Sequence, residues 1–154
     1  MALLTPPISP ADPSDWPAVA ALLQAAGLPL DGAEANIGNF LIARLNGRVV
    51  WCAGLEIHGE HGLLRSVAVS LEQRGAGLGQ RLVAGLLTMA RQHSLVSLTL
   101  LTETAADFFP RFGFEPIARG EAPGTVRASA EFQGACPESA VVMILHLKPA
   151  EEVA

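Results

Sequence analysis

The sequence predicts an α/β (α+β) fold, a single domain built on a mixed, mostly antiparallel central sheet with helices on both faces. Three observations point there. Two strand-like runs flank Asn46-Gly47, the strongest two-residue hairpin signal there is. "GLGQRLVAGLLTMARQH" places Leu78, Leu82, Val83, Leu86, Leu87 and Ala90 on one face of a helix of about four turns. Strand-like "LVSLTLLT" and "AVVMILHL" follow, so the element order reads β-α-β-β-β-α-β-α-β.

Ser14 or Asp12 can cap a first helix, whose apolar positions Trp16, Val19, Leu22 and Leu23 recur at helical spacing and which ends near Gly27-Leu28-Pro29. After a short polar segment, Asn39 to Leu45 reads as a strand and the return strand runs from Arg48 to about His58. Gly59-Glu60-His61-Gly62 is a second turn, leading to a strand from Leu63 to Ser70. Beyond "LVSLTLLT", Thr104 and Asp107 have the spacing of a capping box that opens a short helix through Phe112, stopped by Gly113. "FEPIA" reads as a weak strand, "GTVRASAEF" as a short helix and "AVVMILHL" as the closing strand, free to pair within one sheet or across a homodimer.

Composition narrows the function. The chain has 154 residues, 50% hydrophobic and only 16% charged, enough to bury a core and too apolar for disorder over most of its length. A net charge of -5 excludes a general nucleic-acid binder. No run is long enough to span a membrane, and "MALLTPPISPADPSDW" lacks the basic start and apolar core of a signal peptide, so a cytoplasmic protein is expected. Cys52 and Cys136 match no zinc spacing and read as reduced and structural; no metal is expected.

The chemistry centres on "SLEQRGAGLGQRL", where glycines recur at every second position between a strand and a helix. A P-loop requires Gly-x-x-x-x-Gly-Lys-Ser/Thr, and the lysine and hydroxyl are missing. A dinucleotide fingerprint requires its third glycine one residue later and a βαβ setting. Arg74, Gly77 and Gly79 satisfy a third pattern, Arg/Gln-x-x-Gly-x-Gly/Ala. A helix start offers unpaired N–H groups and a positive dipole end, and glycines let a pyrophosphate touch them. A tight strand-to-helix turn that only packs closely is the alternative.

In that pattern and its setting the chain resembles the acyl-coenzyme-A loop of GNAT N-acetyltransferases. "LLRSVAVSLEQRGAGLGQRLVAGLL" and "SLTLLTETAADFFPRFGFEPIAR" are similar to GNAT domains that acetylate the α-amino group of small amino acids, such as N-acetylglutamate synthases. The tail "RASAEF…CPESAVVM" most resembles N-acetyltransferases of bacterial arsenic-resistance operons. The resemblance implies one acetyl-CoA-dependent domain over residues 1–148, with 149–154 a polar tail, and acetyl-CoA as cosubstrate. It implies that Val67, Ala68 and Val69 offer backbone groups to the pantetheine arm, as an added strand would, and that Arg74, Gly75, Ala76, Gly77, Leu78, Gly79 and Gln80 cradle the pyrophosphate.

Many GNAT enzymes carry a tyrosine in Phe-Tyr-x-x-x-Gly-Phe to protonate the departing thiolate. Here Phe109 stands at that position and the chain has no tyrosine at all, so a phenolic acid is excluded. Direct attack in a ternary complex needs no such acid, because positioning and a strand N–H at the carbonyl oxygen, with Val67 the candidate donor, carry much of the barrier. A non-catalytic acetyl-CoA-binding module is the other outcome.

If the turn pairs His58 with Leu63, Glu56 lies across from Arg65. Two opposite charges within apolar strands are either a structural ion pair or used, and Glu56 is the candidate general base. His58 and His61 read as solvated turn residues. The position of Arg65 in the amino-acid acetylases implies contact with a substrate carboxylate, and Arg127 is a second candidate anion clamp. Two arginines would favour a small acidic amino acid, glutamate or an analogue ending in phosphinate or arsinate, as the partner; a protein or peptide N-terminus is the alternative acceptor. Direct arsenic capture would require converging thiolates, which Cys52 and Cys136 hardly supply.

Overall fold

A computed structural model describes residues 7–70, 77–135 and 139–147. Seven strands, β1 (Ile8–Pro10), β2 (Phe40–Leu45), β3 (Arg48–His58), β4 (His61–Val69), β5 (Ser97–Thr102), β6 (Glu115–Ile117) and β7 (Val141–His146), order as β1-β2-β3-β4-β5-β7-β6 in one mixed sheet. The β4–β5 ladder is parallel, while β1–β2, β2–β3, β5–β7 and β6–β7 are antiparallel. The helices are α1 (Trp16–Ala25), α2 (Leu78–Gln92) and the four-residue α3 (Gly124–Arg127). No helix among the described residues is long and apolar enough to cross a membrane.

By contact the chain falls into two compact units, Met1–Leu55 with Ser66–Leu87, and Glu56–Arg65 with Thr88–Ala154. In the first, Asp12 is the cap: its side chain accepts from the Ser14 N–H, and Asp15 answers by accepting from the Asp12 N–H. It opens a 3-10 turn from Pro13 to Asp15 that feeds α1, and Asp15 is also paired with Arg44. Val19, Leu22 and Leu23 of α1 pack into a core with Ile37, Phe40, Ile42, Cys52 and Ala68, and each fully buried aliphatic side chain stabilises the fold by roughly 1.5–3 kcal/mol. Asn46 and Gly47 both have positive φ, 54° and 79°, which is what the mirror-image two-residue turn between β2 and β3 requires. Gly54 is demanded by packing: a Cβ there would stand 2.3 Å from Phe40 Cε1.

In the second unit, β7 pairs over its whole length with β5, from Thr102↔Val141 to Ser97↔His146, and with β6 through Val142, Met143 and Ile144. The strand thus pairs within its own sheet on both sides, on the β6 side through these three residues. Gly113, at φ 99°, ends the 3-10 segment Phe109–Phe112 and leaves space for Leu145 Cδ1, 3.0 Å from where a Cβ would sit.

Other expectations shift. The second turn is only Gly59 and Glu60, because β4 starts at His61 and not Leu63. The capping hydroxyl after β5 is that of Thr102, which accepts from the Ala105 N–H; Thr104 does not open a helix, and only the 3-10 segment forms. "GTVRASAEF" is not one helix either: α3 stops at Arg127, and a separate wide-turned segment, Glu131–Ala135, is bent by Gly134 at φ 117°.

Candidate active site

In the first unit, the residues expected to meet the cofactor lie at the end of β4 and the start of α2. Val67 and Val69 are half-buried and Ala68 is buried. Ser66, just before them, is a non-glycine residue at φ 59°, and its carbonyl accepts from Cys52 Sγ at 3.3 Å. Gly77 is exposed at φ 74° with open space where a Cβ would point, so its glycine serves the backbone path and not packing. Gly79 and Gln80 lie in the first turn of α2. Arg74, Gly75 and Ala76 lie outside the described residues, as does the side chain of Leu78. Burial pushes the Cys52 thiol up to about 12, which keeps it protonated; Cys136 lies outside the described residues.

Among the described residues the β4–β5 ladder consists of three pairs, His61↔Ser97, Gly62↔Leu98 and Leu63↔Thr99, while β4 itself continues to Val69. The ladder therefore stops well short of Val67 to Val69. Strand backbone that a neighbour has left is suited to pairing with an extended ligand.

In the second unit, Glu56 and Arg65 meet as the charge pattern suggests, and the structure adds more. Arg65 Nη1 donates to Glu56 Oε2 at 2.6 Å, and Arg65 Nη2 lies 3.4 Å from Glu131 Oε2. His58 Nε2 lies 2.8 Å from the other Glu56 oxygen, Oε1. Ser129 also bonds to the Glu56 carboxylate, and its Oγ accepts from the Glu131 N–H at 3.2 Å. Burial pushes the Glu56 carboxyl up. The hydrogen bonds from Arg65, His58 and Ser129, with the Arg65 charge, outweigh that and hold it below the usual carboxylate range.

The Arg65 side chain is 0% exposed and lies between two carboxylates. This arrangement corrects one expectation. The histidines are not merely solvated turn residues: His58 is tied to Glu56, and His61 Nδ1 lies 2.7 Å from Ser97 Oγ. Arg127 is exposed, with Nε donating to the Ala122 carbonyl at 3.1 Å. Ser129 and Glu131 were not singled out from the sequence. Their tie to β3 and β4 is made by the chain path, which no local sequence pattern announces.

Phe109 is buried, edge-on to Phe108 at 5.1 Å and to Phe114 at 5.8 Å between ring centroids. The position that carries a phenol in many related enzymes is an apolar cluster here. Among the described residues no group of three or more His, Cys, Asp or Glu could hold a metal ion.

Residues 36–116, more than half of the chain, match the family described as Acetyltransferase (GNAT) domain. The chain belongs to the GNAT acetyltransferase family. Members of this family use acetyl-CoA as cosubstrate, and both an unladdered strand end and a glycine-led helix start, the two features that suit it, are present in this GNAT chain. The chain is 29% identical over 136 residues to an amino-acid acetyltransferase of Neisseria meningitidis, a match covering 82% of this chain and 31% of that protein. It thus spans about a third of the length of the curated relatives it matches. Among solved structures it is similar to N-acetylglutamate synthase from Neisseria gonorrhoeae, complexed with coenzyme A and N-acetyl-glutamate. That match has a TM-score of 0.79 and 26% identity, over 96% of this chain and 36% of that one. Rv2747 from Mycobacterium tuberculosis, in complex with CoA and NLQ, aligns with a TM-score of 0.78 and 27% identity over 93% and 100% of the two chains.

Proposed function

We propose that this GNAT domain, residues 1–148 acting as one unit ahead of a polar tail, transfers the acetyl group of acetyl-CoA to the α-amino group of a small amino acid in the cytoplasm. The observation that carries this reading is the early end of the β4–β5 ladder in a chain of the GNAT family. The backbone of Val67, Ala68 and Val69 takes the pantetheine arm, and the segment from Arg74 to Gln80 takes the pyrophosphate. The Val67 N–H meets the thioester carbonyl oxygen, where a fixed donor lowers the barrier most. No tyrosine takes part, since there is none, so the departing thiolate is protonated by solvent.

Acidic amino acids are the first acceptors to test, because the similar N-acetylglutamate synthase was solved with N-acetyl-glutamate. Exposed Arg127 is the cation proposed to receive a substrate carboxylate, while Arg65 acts from behind as the group that organises Glu56. The resemblance of the tail to arsenic-operon enzymes adds phosphinic and arsinic glutamate analogues to the acceptors. The test is release of coenzyme A thiol from acetyl-CoA across glutamate, aspartate, these analogues, neutral amino acids and peptides with free N-termini. Turnover with a free amino acid is expected. Turnover with peptides alone would replace the acceptor class, and calorimetric binding of acetyl-CoA with no turnover on any acceptor would favour a non-catalytic sensor.

A further inference from the structure

We propose that Cys52 is a positioning residue of the transfer: its thiol holds the peptide group between Ser66 and Val67 so that the Val67 N–H is aimed at the thioester carbonyl oxygen. This rests on the acetyltransferase reading above. Cys52 Sγ donates to the Ser66 carbonyl at 3.3 Å, and the backbone N–H of Ala68 bonds to the same sulfur. One atom of β3 thus grips β4 on both sides of Val67. Burial pushes the thiol pKa up to about 12, so the sulfur keeps its hydrogen and can donate and accept at once.

The consequence for Val67 is geometric. The Ser66 carbonyl and the Val67 N–H belong to one planar peptide group, and no peptide bond among the described residues is cis. In a trans peptide the C=O and the N–H point in opposite directions. A carbonyl turned toward Cys52 Sγ therefore turns the Val67 N–H away from that sulfur and from β3, which carries it. The conformation needs support. Ser66 sits at φ 59°, a left-handed backbone that a residue with a Cβ keeps only where its surroundings fix it.

Cys52, Ser66, Val67 and Ala68 all lie in the first unit, and Cys52 and Ala68 share its core with Phe40 and Ile42. Cys52 is 0% exposed, so it meets no substrate and reaches the reaction only through the peptide it holds. Aim is what such a donor contributes, because the N–H must lie about 2.7–3.1 Å from where the oxygen will carry charge. That gain is made in the transition state and not in the bound thioester. Losing it lowers kcat more than it weakens binding.

The test compares the wild-type chain with Cys52→Ala and Cys52→Val, which lack the donor, and Cys52→Ser, which keeps one, each checked for folding by circular dichroism. Valine fills the space that alanine leaves, so lost packing and a lost hydrogen bond are told apart. In both donorless variants kcat on the best acceptor is expected to fall about tenfold, with the KM for acetyl-CoA within about threefold of wild type. Cys52→Ser should recover most of the rate. Independently of turnover, proton–nitrogen NMR of the ligand-free proteins should show the Val67 and Ala68 amide signals displaced in Cys52→Val and returned toward their wild-type positions in Cys52→Ser. A kcat within about threefold of wild type in Cys52→Val, a Val67 amide signal that does not move, or an equal fall in Cys52→Ser and Cys52→Val overturns this inference alone. A wild type that acetylates no acceptor overturns the acetyltransferase reading and takes this inference with it.

Discussion

Arg65 and Glu56 bind one another at 2.6 Å inside the protein, and the same guanidinium faces a second carboxylate, Glu131, at 3.4 Å. One cation with a 0% exposed side chain thus compensates two buried acids. Removing it takes this cation from both. Arg65→Met is expected to cost about 3–5 kcal/mol in denaturant unfolding, the range for an uncompensated buried charge. Combining it with Glu56→Gln and Glu131→Gln should recover much of that loss, because a low-cost neutral site replaces a broken pair. Failure of the triple variant to recover would show that packing of the Arg65 stem matters more than its charge.

The lowered Glu56 carboxyl makes a pH prediction with a definite sign. A group whose folded pKa lies below its unfolded value stabilises the protein above the unfolded pKa, and that contribution is lost as pH falls through the folded one. Urea midpoints of the wild type should therefore decline from about pH 4.5 downward. Glu56→Gln should be less stable at neutral pH and show a shallower decline on acidification. Parallel acid limbs in the two proteins would assign the decline to other carboxylates.

Gly77 tests the anion cradle without touching a side chain. Its φ of 74° costs a residue with a Cβ roughly 1–2 kcal/mol, although the Cβ itself would meet nothing within 4 Å. Gly77→Ala should therefore fold but bind acetyl-CoA about tenfold more weakly in calorimetry, as the backbone relaxes away from its left-handed turn. Unchanged affinity would mean that the amides near this turn do not hold the ligand.

Cys52 should resist alkylation in the native protein. It is fully buried, donates to the Ser66 carbonyl, and has its pKa pushed up to about 12, so the reactive thiolate is scarce. Peptide mass spectrometry after iodoacetamide should find Cys52 unmodified under native conditions and modified in denaturant. Native labelling would reveal opening of the β3–β4 region.

Local signals in the sequence were strong where a single residue forces the backbone. Asn46-Gly47 marked the β2–β3 turn because both positions need positive φ, and the 3.6-residue spacing marked α2 because its buried face is continuous. Signals were misleading where two neighbours could do one job, as when Thr102 caps the turn that Thr104 was expected to cap. They were silent where the chain returns from far away. No local pattern ties Ser129 and Glu131 to Arg65, and the short Glu34–Asn39 3-10 segment has only scattered apolar residues to announce it. The charge pair Glu56–Arg65 could be foreseen, but its confinement could not. The third group that closes Arg65 off, and the imidazole on the far side of Glu56, depend on tertiary placement.

With β7 hemmed in on both sides, the rims of the sheet fall to β1 and β6, each only three residues long and each containing a proline, Pro10 and Pro116. Proline gives a rim no amide hydrogen with which to recruit another chain. In concentrated solutions of this protein, strand-by-strand stacking onto these two rims should accordingly be disfavoured.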